Sequence, residues 1–164
     1  MTGKASDMRT YEIEAQTRQQ QATAVGRATL PVAEIGPWLG QVYGQAAACA
    51  QRQGVAIAGP PFARYHMLNP GRFTVEAGFP VSRPVTAEGE IEPSSLPGGR
   101  VAATVHVGPY DQMTPAYEAL TRWVEEHAGR LAGDPWEVYY SDPATQPDPA
   151  TWRTEVIQPY TATA

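Results

Sequence analysis

Two glutamates stand at the centre of strand-like stretches that match one another. Phe73-Thr74-Val75-Glu76-Ala77-Gly78-Phe79-Pro80 aligns without gaps on Trp152-Arg153-Thr154-Glu155-Val156-Ile157-Gln158-Pro159. Each stretch opens on an aromatic residue, carries one carboxylate in its middle and ends at a proline. A carboxylate in a short apolar strand loses hydration, so it needs a compensating charge. Aromatic residues recur beside it. Gly59-Pro60-Pro61-Phe62-Ala63-Arg64-Tyr65-His66 aligns on Gly133-Asp134-Pro135-Trp136-Glu137-Val138-Tyr139-Tyr140, which pairs Phe62 with Trp136 and Tyr65 with Tyr139. Tyr140 and His66 form the next pair, on the opposite face of a regular strand, so only one pair can face a cleft. A carboxylate walled by flat rings suits a cationic guest, each ring adding about 0.5–2 kcal/mol of cation–π attraction.

The elements that position these groups follow from periodicity. Residues 11–17 alternate as Tyr11, Ile13, Ala15 against Glu12, Glu14, Gln16, a half-buried strand. A turn at 19–21 leads to a returning strand over 22–30, where Val25 interrupts the polar face and implies cover on both sides. Residues 32–52 carry apolar side chains at helical spacing through Ile35, Leu39 and Ala46. Pro37 belongs near a helix start, so the regular helix is expected to begin about there, and Gly54 ends it. Strands at 62–67 and 72–79 flank the turn Asn69-Pro70-Gly71.

Residues 81–99 are rich in proline, glycine, serine and glutamate, with Val85 and Ile91 as anchors of a short connecting segment. Pro97-Gly98-Gly99 punctuates the chain. The order then repeats: a strand at 100–107, a turn at Gly108-Pro109-Tyr110, a helix within 111–131 packing Met113, Tyr117, Leu120, Trp123 and Val124, and strands at 136–141 and 152–158. Residues 1–9 read as a polar, frayed end. The chain is thus one domain over 1–164, with repeats at about 10–82 and 100–160 joined by a connector at 83–99. The fold class is α+β: two strand-helix-strand-strand units, related by a pseudo-twofold axis, forming a curved antiparallel sheet with two main helices. Equivalent residues then converge on a cleft between the units, a favoured place for ligands.

Composition narrows the function. Lysine plus arginine is 12 and aspartate plus glutamate 17, a formal charge of −5, and no clustered basic face offers a nucleic-acid surface. The single cysteine, Cys49, excludes an internal disulfide and a multi-cysteine metal site and reads as a packed helix residue. His66, His106 and His127 have no metal-binding spacing, and no serine or cysteine carries a nucleophile motif. No signal-peptide pattern and no apolar run near ~20 residues is present. The expectation is a soluble, cytoplasmic protein without cofactor or metal.

An ordered set of landmarks resembles a known family. Val107-Gly108-Pro109-Tyr110 is followed by Tyr117, Leu120 and Trp123, then by Gly133-x-Pro135-Trp136-Glu137-Val138-Tyr139 with Asp142-Pro143, and finally by Trp152-Arg153-Thr154-Glu155-Val156-x-x-Pro159. This set is similar to the effector-binding domain of multidrug-responsive transcription regulators, the gyrase-inhibitor-like small-molecule-binding domain. The resemblance covers residues 10–160 when the fainter first half is included. It implies a stand-alone member with no direct DNA binding, because the fold takes up nearly the whole chain.

The resemblance also implies that Glu155 sits at the floor of an aromatic-walled pocket and meets cationic, lipophilic ligands. Tyr139 and Tyr65 are the favoured aromatic walls, with Tyr140 and His66 as the alternative pair. Trp38, at the start of the first helix, and Tyr110, after the turn, either rim the cleft or pack in the core. Glu155 has other options: an ion pair with Arg153 or Arg100, or a solvent-facing place on an edge strand. Glu76 shares the symmetry with a weaker motif. The leading function is multidrug binding or sensing of hydrophobic, often cationic or aromatic, small molecules in an aromatic cage. The alternatives are a hydrolase of electrophilic small molecules, with Glu155 as general base and Tyr139 as proton donor, and a protein-interaction inhibitor of gyrase type, whose acidic face would be modest at −5. No protein partner follows from the sequence.

Overall fold

The computed structural model describes residues 11–141 and 145–162. β1 (Glu14–Arg18) and β2 (Gln21–Pro31) lead into α1 (Val32–Arg52), followed by β3 (Phe62–Asn69) and β4 (Arg72–Pro80). β5 (Glu92–Leu96) and β6 (Gly99–Val107) precede a 3-10 turn at Tyr110–Gln112, α2 (Thr114–Glu126), β7 (Gly129–Leu131), β8 (Trp136–Tyr139) and β9 (Arg153–Ala162). The expected α+β architecture is present, two helices on a strongly curled antiparallel sheet.

The strand order is β1-β6-β9-β8-β3-β4-β2-β5, with β7 paired to the end of β9. Exchanging β2, β4 and β3 for β6, β9 and β8 maps this order onto itself. The edges obey the same exchange: β1, which leads into the first half, pairs with β6 of the second, and β5, which leads into the second, pairs with β2 of the first. The halves meet where β3 faces β8, in the register Phe62↔Val138, Ala63↔Glu137 and Arg64↔Trp136. Reciprocal main-chain bonds close the junction, from Tyr65 N to Pro135 O at 3.3 Å and from Tyr139 N to Pro61 O at 3.0 Å. The pseudo-twofold axis therefore passes beside Ala63 and Glu137.

Burial follows the two faces of the sheet. α1 lays Ile35, Val42, Ala46, Cys49 and Ala50 against Ala24, Ala63, Val75 and Ala77. Its close approach depends on Gly26, where a Cβ would lie 2.5 Å from Val42 Cγ2. α2 lays Ala116, Leu120 and Val124 against Ala102 and Val156. The helix-free face curls around Val25, Phe62, Leu96, Val101, Trp136 and Ile157. Val25 and Ala24 are both fully buried, so β2 is covered on both sides, as its sequence implies. Val85 and Ile91 of the connector are buried anchors.

Several boundaries differ from expectation. α1 begins at Val32 and runs through Pro37. Gly36 presents no Cβ to the proline ring, and the neighbouring Ala33 is exposed, so its freed carbonyl is open to water. α2 lies inside the expected 111–131 span but ends at Glu126, short of Ala128 on its expected apolar face: Ala128 adopts φ 56°, and the chain returns as β7. β5 occupies part of the expected connector, where Pro93 is tolerated because the strand lies at the sheet edge. β9 continues past Pro159, whose carbonyl accepts from Ala132 N at 3.0 Å while Tyr160 pairs with Leu131. The expected frayed end at 1–9 and the Asp142-Pro143 landmark lie outside the described residues. Among the described residues, no helix is long and apolar enough to cross a membrane.

Candidate functional site

A cavity of about 1500 Å³ opens between the two helices above β3, β4 and β8. α1 contributes Ile35, Leu39 and Tyr43; the turn and α2 contribute Tyr110, Met113 and Tyr117; the strands contribute Tyr65, Phe73, Phe79, Glu137 and Tyr139. The pseudo-symmetry places its tyrosines in pairs: Tyr65 and Tyr139 are 74 positions apart, as are Tyr43 and Tyr117 in the two helices.

One carboxylate breaks the symmetry. Glu137 lies opposite Ala63 on the central pair of strands, and its remaining exposure is to the cavity that it lines. Tyr139 OH donates to Glu137 Oε1 at 2.8 Å, Tyr117 OH donates to Oε2, and the Tyr65 and Tyr139 hydroxyls are 2.7 Å apart. Tyr43 OH donates to Phe62 O at 2.9 Å. Among the described residues, no ion pair reaches Glu137. Burial pushes its carboxyl above the usual range, and the two tyrosine hydrogen bonds pull it part of the way back. Burial and the nearby Glu137 push the hydroxyls of Tyr117, Tyr65 and Tyr139 upward. They therefore remain neutral donors at ordinary pH. Chemically, the site offers one weakly compensated carboxylate inside an aromatic enclosure. Tyr110 completes the wall, edge-on to Tyr139 with ring centres 5.6 Å apart and stacked on Trp152 at 4.7 Å. Among the described residues, no grouping of His, Cys, Asp and Glu could hold a metal ion.

The model of the GyrI-like small molecule binding domain matches residues 11–161. The chain belongs to this family. Among solved structures, the C-terminal domain of EcmrR superposes with TM-score 0.79 at 23% identity, covering 94% of this chain and all of that one. EcmrR in complex with DNA superposes with TM-score 0.82 at 20% identity, covering 99% of this chain. The chain spans 62% of the length of that EcmrR chain. SAV2435 bound to tetraphenylphosphonium gives TM-score 0.62 at 14% identity, with 92% of this chain and 94% of that one covered. A search of the curated proteins finds no match.

Within this GyrI-like frame the sequence-predicted residues separate into three groups. Tyr139, Tyr65 and Tyr110 line the cavity. Tyr140 and His66 also line it, but at its exposed rim; His66 Nδ1 lies 3.0 Å from Asp134 Oδ1. Glu155 and Trp38 lie outside the lining. Trp38 packs against the α1 side of the core. Glu155 is opposite Val138 across β8 and β9. It therefore shares the Val138 face, and alternation sends Glu137 and Tyr139 to the other face. There it pairs with Arg18 at 3.3 Å and accepts from Tyr140 OH at 3.1 Å. An ion pair was among its expected alternatives, but the partner is Arg18, not Arg153 or Arg100. Glu76 behaves as its symmetry mate, pairing with Arg27 at 2.7 Å and accepting from Ser94 Oγ at 3.1 Å. Glu155 and Tyr139 thus cannot work as an acid–base pair across the sheet.

Glu137 has no assigned role in the sequence-based expectations. Its signal was present: it stands two residues before Tyr139 on the same strand, so whichever face holds Tyr139 holds Glu137. Tyr117, expected in the helix–sheet core, and Tyr43 are two more lining residues that the sequence did not assign to the cleft.

Proposed function

We propose that the chain binds hydrophobic, cationic or aromatic small molecules in the cavity between its halves, with Glu137 as the counter-charge. The observation that carries this reading is a carboxylate held inside an aromatic cavity with no cationic partner among the described residues. Leaving an ion desolvated costs several kcal/mol, and the tyrosine hydroxyls recover only part of it, roughly 1.5–3 kcal/mol per charged hydrogen bond. A guest with a delocalised positive charge offsets the remainder and stacks on the surrounding rings. Membership of a small-molecule-binding family supports the reading, as does a relative of the same fold bound to tetraphenylphosphonium.

Titration of a fluorescent lipophilic cation tests it. Glu137→Gln, which keeps the shape and removes the charge, is expected to weaken binding about tenfold or more. Unchanged affinity in that variant overturns the assignment.

A hydrolytic reading rests on one contact, Tyr139 OH on Glu137 Oε1 at 2.8 Å, which puts a carboxyl with a raised proton affinity beside a proton donor. Binding is favoured over hydrolysis because both Glu137 oxygens already accept tyrosine hydroxyls, leaving the carboxylate engaged rather than aimed at a water. Product formation from an activated ester, lost in Glu137→Gln, would reverse that preference.

A further inference from the structure

The cavity is polarised from one half of the molecule to the other. Its lining carboxylates are Asp111, Glu118, Asp134 and Glu137, and all four come from the second half. The first half contributes no carboxylate, lysine or arginine to the lining; His66, tied to Asp134, is its one titratable imidazole. Besides the neutral Tyr43 and Tyr65, its wall is mainly apolar, with Ile35 and Leu39 on α1 and Phe73 and Phe79 on β4.

α1 adds a second observation. Gly36 and Gly40, one helical turn apart, both line the cavity. A glycine within a helix costs about 0.5–1 kcal/mol relative to alanine. Gly40 is not required by packing, because a Cβ built there meets nothing within 4 Å, and at Gly36 a Cβ meets nothing beyond its chain neighbours, one of which is Pro37. Neither has a positive φ. What the two glycines do is keep side chains off a strip of α1 that runs along the apolar wall. The cavity volume, about 1500 Å³, also exceeds the ~300–1000 Å³ of ordinary small-molecule pockets, so a compact cation at Glu137 leaves the glycine-lined side unfilled.

We propose that the ligand is a cationic amphiphile held in one orientation, its charged head against Glu137 in the second half and its alkyl tail along the Gly36–Gly40 strip of α1. This rests on the binding reading above and adds a direction and a ligand class to it. The acidic end accepts a head group of any delocalised or quaternary type. The apolar end discriminates by length, because each methylene withdrawn from water adds to affinity until the strip is covered.

Calorimetric titration with an alkyltrimethylammonium series from hexyl to dodecyl, kept below micelle-forming concentrations, tests the orientation. Phenyltrimethylammonium serves as the tail-less probe. In the wild-type chain, affinity is expected to rise about three- to fourfold per methylene. Decamethonium, which would place a second charge on the apolar wall, is expected to bind more weakly than decyltrimethylammonium. The variant Gly40→Gln, which leaves the Gly36-Pro37 step untouched, puts a polar side chain across the strip. It is expected to flatten the length dependence and to leave phenyltrimethylammonium within about twofold of wild type. Because glutamine is the better helix former, its thermal midpoint should be at or above that of the wild type, which separates obstruction from misfolding.

A flat length dependence in the wild type, decamethonium binding as tightly as its monocation, or a steep dependence that survives Gly40→Gln each overturns the orientation. In all three cases Glu137-dependent binding of phenyltrimethylammonium would leave the binding reading standing. If phenyltrimethylammonium fails to bind, or binds equally well to Glu137→Gln, the binding reading itself fails and the orientation with it.

Discussion

The two halves of the molecule share a plan and differ at its centre. Both send a tyrosine from the helix and a tyrosine from the central strand into the cavity. Both also place a glutamate on the helix-free face, where an arginine neutralises it: Arg27 for Glu76 and Arg18 for Glu155. Beside the pseudo-axis the halves part. The first half places Ala63 there, fully buried; the second places Glu137 directly opposite. Two carboxylates at that pair would repel across a few ångströms of low-dielectric space, so only one half can carry the charge. What repeats in this molecule is scaffold, and what fails to repeat is the candidate chemistry.

Restoring the symmetry breaks this arrangement most severely. Ala63→Glu sets a second uncompensated carboxylate against the first and is expected to cost about 3–5 kcal/mol, measured by urea denaturation at neutral pH. Acidification should reduce the loss, since protonating either group removes the repulsion.

Removing the asymmetry from the other side has the next largest effect. Glu137→Gln is expected to lower the affinity for a lipophilic cation by about 1.5–3 kcal/mol while leaving affinity for a neutral aromatic of the same shape nearly unchanged.

The pH dependence sharpens the same contrast. Folding raises the proton affinity of Glu137 above its unfolded value of about 4.3. The folded chain therefore holds more protons than the unfolded one in the window above that value. Across this window the Glu137 contribution to stability falls as pH rises. A cation favours the ionised form, so its affinity should rise with pH through the same window, and both trends should vanish in Glu137→Gln. Equilibrium unfolding and calorimetry at stepped pH check the two signs.

The smallest effect belongs to the residue that stood out first in the sequence. Glu155→Gln removes a partly exposed pair with Arg18, worth about 0–1 kcal/mol of stability. Cation affinity should stay within about twofold of wild type.

These contrasts explain what was legible in the sequence. Alternation and helical spacing located the main elements because burial of one face imposes a period. β5 was hidden because Glu92-Pro93-Ser94-Ser95-Leu96 has no strand preference of its own and is held as an edge by β2. β7 was hidden because the apolar spacing of α2 runs on into the segment where Ala128 turns the chain. Tyr65 and Tyr139 could be found because they repeat. Glu76 and Glu155 drew attention for the same reason, but repetition marked their structural role. Which face a strand glutamate takes depends on register with its neighbours, and no local pattern contains that register. Glu137 needed a different signal: the position where aligned halves disagree, alanine against glutamate, two residues from a paired tyrosine.

The central question is which glutamate meets the cation. Tetraphenylarsonium carries an anomalously scattering centre, so a crystal of its complex locates the charge without interpretation of ring density. The expected result is an arsenic peak in the cavity between α1 and α2, with the phenyl rings against Tyr65, Tyr117 and Tyr139 and the Glu137 carboxylate as the nearest acidic group. A peak on the helix-free face beside Glu155, or a cation seated in the cavity remote from Glu137, would contradict it.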